Sequence, residues 1–100
     1  EFDSRIGVYG DYNTPNATIF LQCLSNQGNK ATYSLLTKPI LSNVPFKVVK
    51  MGHGITEIVP GIYQIASLSP SEEGYYKCRA SLKGVTIEKE LDDVVWMSPS

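Results

Sequence analysis

The sequence predicts an all-β domain in which two antiparallel sheets pack face to face. Three observations lead there. Runs rich in β-branched and aromatic residues recur about every ten residues, with Gly, Pro, Asn or Asp between them. Within most runs apolar and polar residues alternate, the period of a strand with one buried face. No segment has the 3.6-residue apolar period of an amphipathic helix, and neither an internal repeat nor a low-complexity stretch is present.

The chain has 100 residues, the size of one domain, taken as 1–100, with 1–2 and 98–100 read as linker or appended residues. A chain this short leaves much of its surface exposed, so its core is modest and a cross-link matters. Hydrophobic residues make up 42% and charged residues 19%, a globular rather than a disordered balance. A net charge of −1 without a basic block gives nucleic-acid binding no electrostatic support. No apolar run is long enough to span a bilayer, so direct membrane insertion by this segment is not expected. No basic-then-apolar leader opens the chain, as expected of a mature or excised domain.

Residues 3–9 make a first edge strand ending at Gly10-Asp11, and residues 11–16, polar and carrying Pro15, form a connection or a short second edge segment. Over residues 17–24 the period of two puts Ala17, Ile19, Leu21 and Cys23 on one face and Thr18, Phe20 and Gln22 on the other. A turn cluster of Asn26, Gly28 and Asn29 precedes a strand over 31–37, with Tyr33 and Leu35 as its core pair. Pro39 and Pro45 argue against a long central strand in the next stretch, because proline donates nothing to a ladder. A strand is expected over 46–51, with Phe46, Val48 and Lys50 on one face, then a Gly52-His53-Gly54 turn and a short strand over 55–59. Residues 61–68 turn Tyr63 and Ile65 inward, with Leu68 closing the end. After a turn at 69–73 opened by Pro70, residues 74–81 point Tyr76, Cys78 and Ala80 inward and Tyr75, Lys77 and Arg79 outward. A hairpin at Leu82-Lys83-Gly84 leads to a last strand over 85–96, interrupted near Asp92-Asp93.

The segment from Leu68 to Cys78 carries the sharpest motif. Tyr76 stands two residues before Cys78, Gly74 four before and Glu72 six before, while Cys23 lies in an early strand 55 positions upstream. A cysteine in an early strand followed by Gly-x-Tyr-x-Cys resembles the immunoglobulin superfamily over nearly the whole chain. The resemblance implies an immunoglobulin-like, Greek-key β-sandwich of seven to eight strands, of constant-like or intermediate type. It also implies a disulfide from Cys23 to Cys78 across the sheets, and a Tyr76 corner bonded to the backbone upstream. It further implies that Glu72 pairs with a basic residue, for which Lys47 and Lys50 are the candidates. An even cysteine count without metal-ligand spacing agrees with the disulfide. The chain departs from the antibody-like pattern at Thr32-Tyr33-Ser34-Leu35-Leu36, where a tryptophan would pack on the cystine; Tyr33 or Leu35 has to fill that space. A short run is similar to membrane-distal domains of leukocyte receptors of the platelet–endothelial adhesion molecule and allergin kind.

Few residues suit catalysis. His53, the one histidine, lies between two glycines of a turn, and a Cys–His nucleophile would need a free thiol beside it. Zinc would need three or four ligands, and no Gly-rich phosphate loop follows a strand. Glu72-Glu73 and Asp92-Asp93 fall in turns, where adjacent acids are ordinarily solvated. No enzyme activity and no cofactor or metal are therefore expected. The outward row Tyr75, Lys77 and Arg79, flanked by Thr32, Ser34, Thr86 and Glu88, is the first candidate for partner binding, since Tyr and Arg are enriched at interface hot spots. Outward-facing Phe20 is the second. Apolar residues at Ile40-Leu41 and Val44-Pro45-Phe46 mark either a contact surface or a lid on the core. Trp96, next to the Ser-Pro-Ser tail, suits a joint with a neighbouring domain. Asn16-Ala17-Thr18 is an N-glycosylation acceptor.

The resemblance implies a non-catalytic extracellular recognition module of a cell-surface adhesion molecule or receptor, a glycoprotein whose partner is another protein or a neighbouring domain of the same chain. Two alternatives stand beside it: a spacer in an intracellular, titin-like filament protein with reduced cysteines, and a secreted ligand-binding protein of the same fold.

Overall fold

In the computed structural model, which describes residues 1–97, eight strands form two antiparallel sheets. The expected linker at 98–100 lies outside the described residues. The first sheet has the order β1-β2-β6-β5, built from β1 (Ser4–Tyr9), β2 (Ile19–Ser25), β6 (Ile62–Ile65) and β5 (Ile55–Val59). The second has the order β4-β3-β7-β8, built from β4 (Lys47–Val48), β3 (Thr32–Lys38), β7 (Tyr75–Leu82) and β8 (Val85–Glu90). The chain crosses between sheets after β2, β4 and β6, so the consecutive pairs β2/β3, β4/β5 and β6/β7 lie in opposite sheets, while the other consecutive strands pair, and the connectivity is a Greek key.

Alternation along β2, β6 and β7 builds the core. Ile19, Leu21 and Cys23, then Tyr63 and Ile65, then Tyr76, Cys78 and Ala80 are buried. Each buried residue in these strands is followed by a less buried one, as a pleated strand with a single core face requires. Cys23 and Cys78 join the two inner faces, their Cα atoms 5.8 Å apart. Leu35, directly across from Cys78, is 1% exposed and belongs to the core. Tyr33 packs against that core and sends its hydroxyl to the Gly28 carbonyl (2.6 Å), which ties down the short 3-10 turn Gly28–Lys30. Leu68 is also buried; its N–H reaches the Ala17 carbonyl and its own carbonyl accepts the Asn16 N–H, both at 2.8 Å, extending the β2–β6 contact beyond the regular ladder.

Three expectations need correction. The strand expected over 46–51 shrinks to Lys47–Val48. Pro45 precedes it without an N–H, and after Val49 donates to the Leu35 carbonyl (2.8 Å) the chain leaves the second sheet for the first. The last strand ends at Glu90 rather than Trp96: the bend at Asp92-Asp93 interrupts it, and pairing resumes as an isolated bridge between Val95 and Gly74. Glu72 has no ion pair to Lys47 or Lys50 among the described residues. Its carboxylate instead accepts the Ser69 backbone N–H and hydroxyl, each at 2.8 Å, and the Ser71 hydroxyl at 2.8 Å. Those donors lie within three residues, so holding them costs less chain entropy than reaching a flexible lysine.

Candidate functional site

The ladder register sets which side chains share the outer face of the second sheet, because residues directly opposed across strands point the same way. Arg79 lies between Ser34 and Glu88, Lys77 between Leu36 and Glu90, and Tyr75 opposite Lys38. The row Tyr75, Lys77 and Arg79 thus lies along the middle of the sheet, with Thr32 and Ser34 on one side and Thr86 and Glu88 on the other.

The charges on this face are organised. One carboxylate, Glu88, bridges two cations: Oε1 lies 2.8 Å from the Lys77 ammonium and Oε2 2.8 Å from Arg79 Nε. Hydrogen bonds from Lys77 and then Arg79 hold the Glu88 carboxyl below its ordinary pKa of 4.5. An exposed bridge of this kind contributes about 0–1 kcal/mol, so its main effect is to hold three side chains in one arrangement. At the other end of the row, two lysines meet two aromatic rings. The Lys77 ammonium stands 4.4 Å from the Phe46 ring centre, and the Lys38 ammonium lies 5.3 Å from Phe46 and 5.7 Å from Tyr75. All three distances fall within cation–π range, about 0.5–1 kcal/mol each at an exposed site.

This arrangement explains Leu36. Strand period puts it outward, yet it is 2% exposed. Val48 opposes it on one side and Lys77 on the other, and the Lys77 head reaching Phe46 draws an aliphatic stem over the sheet. Beside the stack, the β3–β4 connection carries Leu41, 96% exposed, and half-exposed Val44. A hollow of about 380 Å³ lies between that loop and the sheet, lined by Lys38, Leu41, Ser42, Asn43, Tyr75 and Glu90. The face therefore presents fixed cations, aromatic surface and an exposed aliphatic knob within one patch.

The remaining sequence candidates lie apart from it. Tyr76 is buried in the core; its hydroxyl donates to the Glu72 carbonyl at 2.5 Å, and burial pushes its pKa up to about 12. Gly74 is needed by close approach: a Cβ there would collide with the Lys38 carbonyl oxygen where the chain enters β7. Phe20 is half-buried on the outer face of the first sheet, between Tyr9 and Gln64. Asn16 is exposed in a turn at φ 67°, the left-handed region that asparagine tolerates. His53 is exposed in the β4–β5 connection, and both cysteines are committed to the disulfide, so a Cys–His pair has no free thiol. Trp96 is 44% exposed; its carbonyl accepts from Asn13 Nδ2 (2.7 Å), and Met97 N–H donates to the Glu73 carboxylate (2.7 Å), which fixes the exit of the chain.

Sequence reasoning missed Lys38 and Phe46 as members of the face. For Lys38 the signal was present: it lies two residues beyond Leu36 in the same strand, hence on the same side. For Phe46 the period of two gives a shared face with Val48 and Lys50, but only the β3–β4 register, with Leu36 opposite Val48, brings that face beside the row. Among the described residues, no helix is long and apolar enough to cross a membrane. No protein-family model matches the chain, and neither does any curated protein.

Proposed function

We propose that this chain is a non-catalytic, extracellular protein-recognition module of the immunoglobulin type, part of a cell-surface adhesion molecule or receptor, and that it binds its partner through the outer face of the β4-β3-β7-β8 sheet. The observation that carries this is the held row of Tyr75, Lys77 and Arg79, with Lys77 over the Phe46 ring, Lys38 over Tyr75 and Arg79 paired to Glu88, set beside exposed Leu41. Aromatic and arginine side chains bury much area for little lost conformational freedom, and cations already held by Glu88 are ordered before a partner arrives. The immunoglobulin reading is supported by the strand order, which matches the constant-type sheets with one strand added beside the third, and by the Tyr76 corner two residues before Cys78. The extracellular reading is supported by the disulfide, which persists in oxidising surroundings, and by the exposed Asn16 acceptor.

The test is multimerised domain applied to a display of cell-surface proteins. A triple inversion, Lys77→Glu with Arg79→Glu and Glu88→Lys, keeps the bridge and reverses the polarity of the face. We expect binding to fall by at least about tenfold, while stability falls by no more than about 1 kcal/mol, the share of the Lys77 contact with the Phe46 ring. Binding that survives this inversion and also Tyr75→Ala with Leu41→Ala would place recognition elsewhere. Two free thiols and an unmodified Asn16 in natively isolated protein would favour the intracellular spacer instead.

A further inference from the structure

We propose that an extended, basic segment of another polypeptide adds as a strand to the open edge of β1, in the cleft between that edge and the end of β8. This site is separate from the outer face of the second sheet. Edge strands invite pairing, and most edges of this molecule are defended against it. β4 is two residues long, β5 has a register break between Glu57 and Val59, and β8 carries Glu88, Lys89 and Glu90. β1 differs. It pairs with β2 in unbroken register over six residues, contains no proline, and carries one charge, Arg5.

Three features select this occupant. The first is free backbone. Asn26 N–H donates to the Asp3 carbonyl (3.3 Å), and opposed residues of an antiparallel ladder alternate between bonded and non-bonded pairs. Arg5, Gly7 and Tyr9 therefore bond to β2, while the N–H and C=O groups of Ile6 and Val8 turn to the open side. Among the described residues, no turn, loop or isolated bridge takes them up. The second is charge. The cleft has a volume of about 470 Å³ and is walled by β1 on one side and by residues 89–93 on the other. Asp3, Glu90, Asp92 and Asp93 line it against Arg5 and Lys89, and none of these six is in an ion pair among the described residues. Carboxylates outnumber cations, so basic side chains complement the rim and acidic ones are repelled. The third is an unpaired hydroxyl. Ser4 lines the same cleft at 6% exposure, and its hydroxyl has no hydrogen-bond partner. Leaving such a group unpaired is costly, and a carbonyl of an added strand would satisfy it. In strand addition the main chain supplies affinity and alternate side chains supply the choice of partner.

An NMR titration of the chain with a capped hexapeptide of alternating lysine and valine tests the proposal. We expect saturable shifts of the Ile6 and Val8 amides with a Kd below about 1 mM at about 50 mM salt, and several-fold weaker binding at about 500 mM. The same peptide N-methylated throughout, or with glutamate in place of lysine, should bind at least about tenfold more weakly. Asp92→Lys should weaken binding at least about threefold. Ser4→Ala should weaken it about as much with no fall in melting temperature, because it removes an unpaired hydroxyl. The triple inversion at residues 77, 79 and 88 should leave peptide binding intact, so failure at this edge and failure of the proposed partner face are distinguishable. No saturable shift up to about 5 mM peptide would overturn the proposal. So would equal binding of the glutamate or the N-methylated peptide, or undiminished affinity in both variants. Dimerisation through the same amides without peptide would assign the edge to a second copy and overturn it too.

Discussion

On the outer face of the second sheet, Lys38, Lys77, Arg79, Glu88 and Glu90 share adjoining rows; on the first, the corresponding rows hold Arg5 alone. Both sheets have four antiparallel strands and turn their apolar side chains to the same core. The strand plan therefore does not determine the surface. What differs is how each face covers its outward apolar groups. The second sheet buries Leu36 under a lysine stem and Phe46, and spends its charges on one another. The first leaves Tyr9, Leu24 and Val59 about half exposed. A held, charged face suits a partner recognised by polarity and register, while an uncharged one suits a partner recognised by shape.

The largest expected effect removes what the two faces share. Replacing both cysteines (Cys23→Ala with Cys78→Ala) should lower stability by about 3–4 kcal/mol in denaturant unfolding, and the proposed partner binding should fade with it. Retention of partner binding in the unlinked domain would show that the second sheet is stable by itself. Gly74→Ala comes next, at about 2 kcal/mol or more, because the new methyl meets the Lys38 carbonyl. Lys38 belongs to the charged face, so the proposed partner binding should suffer as well; unaltered binding would mean that the Lys38 carbonyl can shift without moving its side chain.

Tyr76→Phe is a smaller step. It deletes the hydroxyl that satisfies the Glu72 carbonyl, for about 1–2 kcal/mol. The folded-state pKa of Tyr76 is raised from 10.0 to about 12, so its contribution is complete below pH 10 and is lost as pH rises through about 12. The variant should show a shallower alkaline decline in stability; identical slopes would assign that decline to other groups. Glu88→Gln should have the least effect, within about 1 kcal/mol. The folded Glu88 pKa is lowered from 4.5, so its contribution is present above that value and lost as pH falls through the lowered one. Acid titration of the two proteins should differ only there, and added salt should shrink the difference.

How much could be read in advance followed the length of the periodic segments. In β2 and β7, long alternating runs anchored by a cysteine, every inward residue named from the sequence is buried except Ala17, which lies just outside the regular strand and is half-buried. The outward row Tyr75, Lys77 and Arg79 came from the same parity. The stretch from Thr37 to Pro60 was hard to read because a two-residue strand has no period, and because its proline-bounded connection is placed by contacts to β3 and β7 rather than by local preference. Glu72 shows a third kind of error. The acidic residue was recognised as structural, but its partners were local serines rather than a distant lysine.

By itself the sequence determined the strands with strong alternation, the pair of cysteines and the corner at Tyr76, because each rests on residues close in the chain or on a period that any strand must obey. The tertiary structure alone decided that Leu35 rather than Tyr33 lies opposite Cys78, that Leu36 is covered, and that Phe46 lies beside the row of β7 with the Lys77 ammonium over its ring. Those facts depend on register between strands far apart in sequence, and a shift of one residue would turn each side chain to the opposite face of its sheet.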